Sequence, residues 1–360
     1  MLLKYRKGLI KIKGLNISEK TARLWVVILA AVFVIGAIFV VVISLSYPTP
    51  FETTTYAMGT YVQQTVYGNE SEKATSLGAN AVVNLENEIS WRIVDSDICK
   101  LNENAGKDWT EVSGTTYNIL EDAIAVSEKS GGAFDLTIAP ISQLWNFDDS
   151  PTEPPKDELI QKLLPYVDYT QLRADGTNNS FSFKSSGYAV DLGAVGKGAA
   201  CDTVISSYMG TNIDYAIVAV GGSVGTYGKK PFGDKWKIAV RNPDGGNSIG
   251  TIEIDGGFVS TSGNYEKYFD YNGKRYHHII DPSTGYPVEN DLTSVTVICG
   301  TGAISDALST ACFVKGYEES LSLLKEFNAQ AVFVYKDKTV KVTDGLGDSF
   351  KISNEEYKLG

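Results

Sequence analysis

The two histidines of this 360-residue chain are adjacent, in Arg275-Tyr276-His277-His278-Ile279-Ile280-Asp281-Pro282. Imidazole titrates nearest neutrality, so a histidine beside a turn can move a proton. The following Asp281-Pro282-Ser283-Thr284-Gly285-Tyr286-Pro287 reads as a turn-rich loop that frees backbone amides near His278 and Asp281. On a strand His277 and His278 face opposite sides, so at most one enters a given site. Asp306 and Thr310 stand four residues apart, on one face of a predicted helix. A carboxylate and a hydroxyl together suit a hard cation such as Mg2+. The same pair also reads as an acid favouring a helix dipole and a threonine bonded to its own turn. Asp191-Leu192-Gly193-Ala194-Val195-Gly196-Lys197-Gly198 runs from a predicted strand into a helix through three glycines. Gly221-Gly222-Ser223 and Ser260-Thr261-Ser262-Gly263 read as two further turns. Such turns let amides approach an anion, although the spacing is neither GxxxxGK[ST] nor GxGxxG. Together they point to a phosphate-bearing ligand.

The elements that must position these groups follow from periodicity. Apolar residues at Ala74, Leu77, Ala81, Leu85 and Ile89 predict a helix over 72–91, and a second helix spans 116–129 until Gly131-Gly132. Further helices are expected at 198–209, 304–314 and 318–327. Strands are expected at 51–68 (interrupted at Met58-Gly59-Thr60), 181–183, 189–192, 216–220, 236–240, 251–254, 267–271 and 293–298. Asn272-Gly273 marks a hairpin, and 150–155 a loop. Helices and strands mix without strict alternation. That predicts an α+β fold, a single mixed α/β domain with a largely antiparallel sheet, preceded by one N-terminal transmembrane helix.

Residues 24–43 form an uncharged apolar run, long enough for the bilayer core. Lys4, Arg6, Lys7, Lys11, Lys13, Lys20 and Arg23 precede it, against one Glu19. The positive-inside rule then gives a cytoplasmic basic segment over 1–23, an anchor over 24–46 and an extracytoplasmic domain over 47–360. A cleaved signal peptide is the rival reading, but its apolar region is shorter. The first 23 residues are net +6 in a chain of net −11, so the remainder is net −17. An acidic body of this kind repels nucleic acid, and an anionic substrate would need local neutralisation. Cys99, Cys201, Cys299 and Cys312 show no metal-ligand spacing and read as buried or incidental thiols.

The ordered set of segments resembles the ApbE family of FAD:protein FMN transferases. The matching pieces are Met58-Gly59-Thr60, SWRIVDSDICKLN at 90–102, Gly132-Ala133-Phe134-Asp135-Leu136-Thr137 with Pro140 and Leu144-Trp145, and DLGAVGKGAACD at 191–202. They continue with Gly221-Gly222, Thr261-Ser262-Gly263, HIIDPSTGYP at 278–287 and SDALSTA at 305–311. The last two are the most diagnostic, and the anchor lies outside the resemblance. The resemblance implies cleavage of FAD at its pyrophosphate, transfer of FMN to a Thr or Ser hydroxyl of an acceptor protein, and release of AMP. It implies Mg2+ bound by the Asp306 and Thr310 side chains and the Ala194 carbonyl. It implies a FAD site lined by Met58, Trp91, Arg92, Phe134, Asp135, Leu136, Asp191, Lys197 and Ile280. His278 matches the family histidine and is the expected base, with Asp281 orienting it. The acceptor would be an extracytoplasmic protein with an FMN-binding domain. The alternatives are a FAD pyrophosphatase giving FMN and AMP, or a FAD-binding carrier without catalysis.

Overall fold

The computed structural model describes residues 9–12, 15–46 and 49–360. Lys4, Arg6, Lys7 and Lys13 of the basic segment, and residues 47–48 at the start of the expected extracytoplasmic domain, lie outside the described residues. The chain forms two units, Met1–Thr49 and Pro50–Gly360.

In the first unit, strands Leu9–Ile12 and Leu15–Ser18 pair antiparallel and lead into the helix Glu19–Ser46. The Ser18 hydroxyl accepts the Thr21 N–H at 3.2 Å, capping a helix terminus whose amides otherwise lack partners. Side chains over 24–42 are exposed and apolar. The stretch Lys20–Val42 is long and apolar enough to cross a membrane.

The second unit is built on a nine-stranded sheet. Its strands are β1 (Phe51–Ala57), β2 (Thr60–Gly68), β3 (Ile213–Val220), β4 (Ser223–Gly228), β5 (Phe258–Gly263), β6 (Leu292–Cys299), β7 (Gln330–Tyr335), β8 (Thr339–Val342) and β9 (Lys358–Leu359). They lie side by side in chain order. Every neighbouring pair is antiparallel except β8–β9. The expected interruption at Met58-Gly59 is a hairpin turn, with φ of 53° and 69° at the two residues. That left-handed pair matches the twist of the strands it joins.

Both faces of the sheet are covered. Helices α1 (Ser71–Ile89), α3 (Gly196–Ser207) and α4 (Gly302–Glu326) pack on one face, and α2 (Gly114–Ser130) packs on α4. A three-stranded sheet of Trp236–Val240, Gly250–Ile254 and Phe350–Ile352 shares a core with the other face. The β7 side chains divide accordingly. Ala331 and Phe333 join the helical core, whereas Val332 and Val334 join the opposite one. Burial on both sides explains why β3 and β7 read as near-continuous apolar runs.

Three local expectations need correction. Residues 189–192 are not a strand. Ala189 makes one bridge to Ile138, while the Val190 and Asp191 amides go to the Asn102 side chain and the Leu136 carbonyl. Residues 260–263 are not a turn but the end of β5, inside the sheet. Their hydroxyls stand where apolar side chains are usual and find partners there: Thr261 bonds Thr296 at 2.9 Å, and Ser262 bonds Ser309 at 2.7 Å. The helices expected at 304–314 and 318–327 merge into α4, with a non-helical Gly316 (φ 76°, ψ −180°) between them.

α3 crosses α4 at Gly198 and Gly302. A Cβ on either glycine would run into the carbonyl oxygen of the other, and one on Gly198 would also meet the Asp306 Cβ at 2.8 Å. Neither obstacle is a flexible side-chain end, so Gly198→Ala must part the two helices. Overpacking of this kind costs about 1–3 kcal/mol or more. The expected result is a lowered urea midpoint together with lost activity, since Asp306 moves with α4. A midpoint equal to that of the parent chain would contradict the close crossing.

Candidate active site

The start of α3 organises the site. The turn through Gly193-Ala194-Val195 leads into an N-terminus with no side-chain cap. The Asp191 carboxylate shapes that turn, accepting the Gly193 N–H at 2.8 Å and the Ser142 hydroxyl at 2.6 Å. One turn into α3, the Gly198 N–H donates to Asp306 Oδ2 at 3.0 Å. Asp306 thus fills an amide left open by helix geometry, which is where an anion is stabilised. α3 repays α4 in kind. The Asp202 carboxylate accepts the Gly302 and Ala303 amides at 2.8 Å each and locks the first turn of α4.

Asp306 is buried, at 2% exposure. Burial pushes its carboxyl pKa up, and Lys197 and the Gly198 amide pull against that. Lys197 Nζ lies 4.0 Å from Asp306 Oδ2 and 3.3 Å from the Gly193 carbonyl oxygen. Thr310 follows Asp306 by four residues on α4, with its hydroxyl 3.0 Å from that of Ser262. Asp306, Thr310, Ser262 and the half-buried Ala194 main chain therefore offer only oxygen donors. That chemistry suits a hard cation completed by ligand oxygens. Among the described residues no group of three or more His, Cys, Asp or Glu converges. A cation here would rely on one carboxylate and on what the substrate brings.

Two hairpin turns close in on this helix start. A Cβ on Gly196 would lie 3.0 Å from the Met58 methyl, and one on Gly221 would lie 3.1 Å from Thr60 Oγ1 and 3.2 Å from Lys197 Cδ. The β1–β2 and β3–β4 turns thus meet α3 at one end of the sheet.

The adjacent histidines separate as alternation requires. His277 ends the strand Lys274–His277 and is buried. Its Nε2–H donates to the Val288 carbonyl at 3.0 Å, and its Nδ1 accepts the Ile279 N–H at 3.3 Å. It is a structural staple, held neutral because burial pushes its pKa down to about 4. His278 is different. Its backbone N–H donates to the Lys267 carbonyl at 3.0 Å, but its buried Nδ1 has no partner. Burial, then Lys197 and Lys267, push its pKa down to about 3. The result is a neutral imidazole with an unused nitrogen, electrostatically coupled to Lys197.

The remaining expected residues fall into distinct groups. Trp91 is half-buried with its Nε1 unpartnered, and the Arg92 guanidinium lies over its ring at 4.0 Å. Arg92 and Lys267 both pair with Asp148. Burial would raise the Asp148 carboxyl, but Lys267 and Arg92 hold it below its usual range. Asp135 is buried and fixed by Thr137 at 2.7 Å and by the Tyr169 N–H at 3.0 Å. Phe134 and Leu136 lie in the main core, and Ile280 lies in a satellite core with Ile141, Trp145 and Ile160. These three side chains support the walls rather than standing free in a cleft. Asp281 does not bond His278. Its carboxylate accepts the Ser283 N–H and hydroxyl at 2.8 and 2.7 Å, closing its own turn. The Tyr286 hydroxyl donates to Asp157 at 2.7 Å. Cys99, Cys201, Cys299 and Cys312 are free thiols, three of them buried. Asp148 and Lys267 escaped sequence reasoning because no local spacing marks them.

The ApbE family model matches residues 58–333, from the Met58 turn through β7. The chain belongs to the ApbE family. It is accordingly an enzyme of the transferase class. An ApbE relative, the FAD:protein FMN transferase of Treponema pallidum (strain Nichols), is 34% identical over 282 residues, covering 74% of this chain and 78% of that protein. The FAD:protein FMN transferase of Escherichia coli (strain K12) is 28% identical over 303 residues, covering 82% and 84%. The crystal structure of the ApbE protein from Thermotoga maritima matches with a TM-score of 0.77 at 30% identity, covering 84% of this chain and 99% of that one. The apo form of the Pseudomonas stutzeri flavinyl transferase ApbE matches with a TM-score of 0.74 at 27% identity, covering 84% and 98%. The ApbE fold is therefore the mixed helical and mostly antiparallel architecture described above, with the apolar N-terminal helix outside it.

Proposed function

We propose that this chain transfers FMN from FAD to a Thr or Ser hydroxyl of an acceptor protein, releasing AMP. The hydroxyl oxygen bonds to the FMN-side phosphorus, the pyrophosphate P–O bond breaks, and the electron pair leaves with AMP. The observation that carries this reading is the buried Asp306, one helical turn from Thr310 and 4.0 Å from Lys197. Asp306, Thr310 and the Ala194 carbonyl would hold Mg2+, which, when bound, neutralises pyrophosphate oxygens as charge develops. Lys197 and the glycine-flanked amides hold substrate oxygens. A Thr hydroxyl is a poor nucleophile near pH 7, and neutral His278 can accept its proton at Nδ1. Trp91 and Arg92 offer a stacking platform for an aromatic ring of FAD.

The helix Glu19–Ser46 anchors the chain in the cell membrane as a single pass, with the basic end cytoplasmic and the catalytic unit extracytoplasmic, facing its FMN-binding acceptor domain. One experiment tests cation and anchor together. Membranes bearing the chain, washed with alkaline carbonate, should release AMP from FAD, and EDTA should abolish this. Activity lost to the wash removes the anchor, and EDTA-resistant release removes the cation.

A further inference from the structure

Serines line the sheet beneath the first turns of α4. On β5, the Phe258 ring reaches to 2.9 Å of a Cβ built on Gly225 and to 3.0 Å of one built on Gly302, so this side of β4 and β5 faces α4. By alternation Ser223, Ser260 and Ser262 share that side. Ser262 is already engaged, by Ser309 at 2.7 Å and Thr310 at 3.0 Å. Ser223 and Ser260 are direct cross-strand partners, 1% and 0% exposed. Neither hydroxyl has a hydrogen-bond partner. A buried unpaired hydroxyl forfeits its bonds to water with nothing in return, and Ala or Val would avoid that at both positions. Ser223 lies within hydrogen-bonding reach of the Asp306 carboxylate without closing a well-formed bond to it. Side chains directly opposite on antiparallel strands have Cβ atoms about 5 Å apart, close enough for one hydroxyl to donate to the other.

We propose that Ser260 and Ser223 are positioning residues, a relay in which Ser260 donates to Ser223 and Ser223 donates to Asp306 when the carboxylate turns from Lys197 to a divalent cation. The relay rests on the reading of Asp306 as a cation ligand. It fixes the carboxylate in its binding orientation and leaves Lys197 free for substrate oxygens. Linked hydrogen bonds reinforce one another, so the two serines act as a unit.

The test titrates Mn2+ alone into the full chain in detergent and follows the free-ion spectrum by electron paramagnetic resonance. Asp306→Asn defines the site by the class of binding it removes. Ser223→Ala should weaken that class about tenfold, and Ser260→Ala less. The double variant should bind no worse than Ser223→Ala, because breaking a relay twice adds nothing. In turnover the Mg2+ requirement should rise, while the rate at saturating Mg2+ stays near the parent value. Ser294→Ala, which removes a buried unpartnered hydroxyl from β6, should change neither. If Asp306→Asn loses the site and Ser223→Ala keeps parental affinity, the relay is overturned and the ligand reading stands. Additive losses in the double variant also overturn it. Parental Mn2+ binding by Asp306→Asn removes both.

Discussion

Asp306→Asn should lower FAD turnover by at least about 10²-fold, corresponding to about 3 kcal/mol of lost charge stabilisation. The amide is nearly isosteric with the carboxylate and still accepts the Gly198 N–H that holds α3 against α4. What disappears is the single buried carboxylate in an all-oxygen donor set, and with it the anion facing Lys197. Stability should move in the opposite direction or hardly at all. Burial already raises the Asp306 carboxyl pKa, which shows that the folded protein disfavours the charged form. Removing such a charge relieves a desolvation cost. AMP release and the urea midpoint, measured on the same preparation, check both halves. Parental turnover would remove Asp306 from the mechanism, and a collapsed midpoint would make its role structural.

The second large effect concerns His278. Its substitution by Ala should slow transfer by roughly 10²-fold or more, the usual contribution of a positioned general base. FAD binding should persist, because the imidazole is coupled to Lys197 and Lys267 and holds no wall residue in place by a side-chain bond among the described residues. The pH dependence follows from its surroundings. With a pKa of about 3 in the folded chain, His278 remains the free base throughout the working range. Transfer by the parent should therefore show no inflection near 6.5 from this residue. Stability should show one. The unfolded chain takes up protons at both histidines below about 6.5, whereas the folded chain resists until about 4 at His277 and about 3 at His278. At the histidines the unfolded state binds more protons over that window, so their contribution to stability is fullest above about pH 6.5 and declines as the pH falls toward 4. His277→Gln should flatten part of the decline. An unchanged transfer rate in His278→Ala would remove the base, and a His277→Gln midpoint that responds to pH between 7 and 4 just as the parent's does would contradict the burial of that ring.

Much of this arrangement was legible in the residues. The helix over Ser71–Ile89, the stop at Gly131 (φ 68°) and the Asn272-Gly273 hairpin follow from local rules of periodicity and left-handed turns. The Asp306–Thr310 pairing follows from helical spacing alone. β5 did not, because its Ser-Thr-Ser run looks like a turn until Thr296, Ser309 and Thr310 are in place to satisfy it. The Asp281 carboxylate turns to Ser283 rather than to His278 for a related reason. An Asp before Pro-Ser closes its own turn more readily than it reaches a histidine three residues back. Asp148 and Lys267 meet only because the Tyr268–Tyr271 hairpin folds beside the helix ending at Trp145. No spacing along the chain encodes such long-range contacts.

The most direct test of the central claim uses the full chain in detergent with FAD, Mg2+ and an FMN-binding acceptor domain. The acceptor's mass and the AMP formed are read from the same tube. The account predicts an acceptor heavier by one phosphoester-linked FMN on a Thr or Ser, matched by one AMP, and no change when EDTA is present. AMP formed with an acceptor of unchanged mass, free FMN appearing in solution instead, would contradict transfer and make the chain a FAD pyrophosphatase.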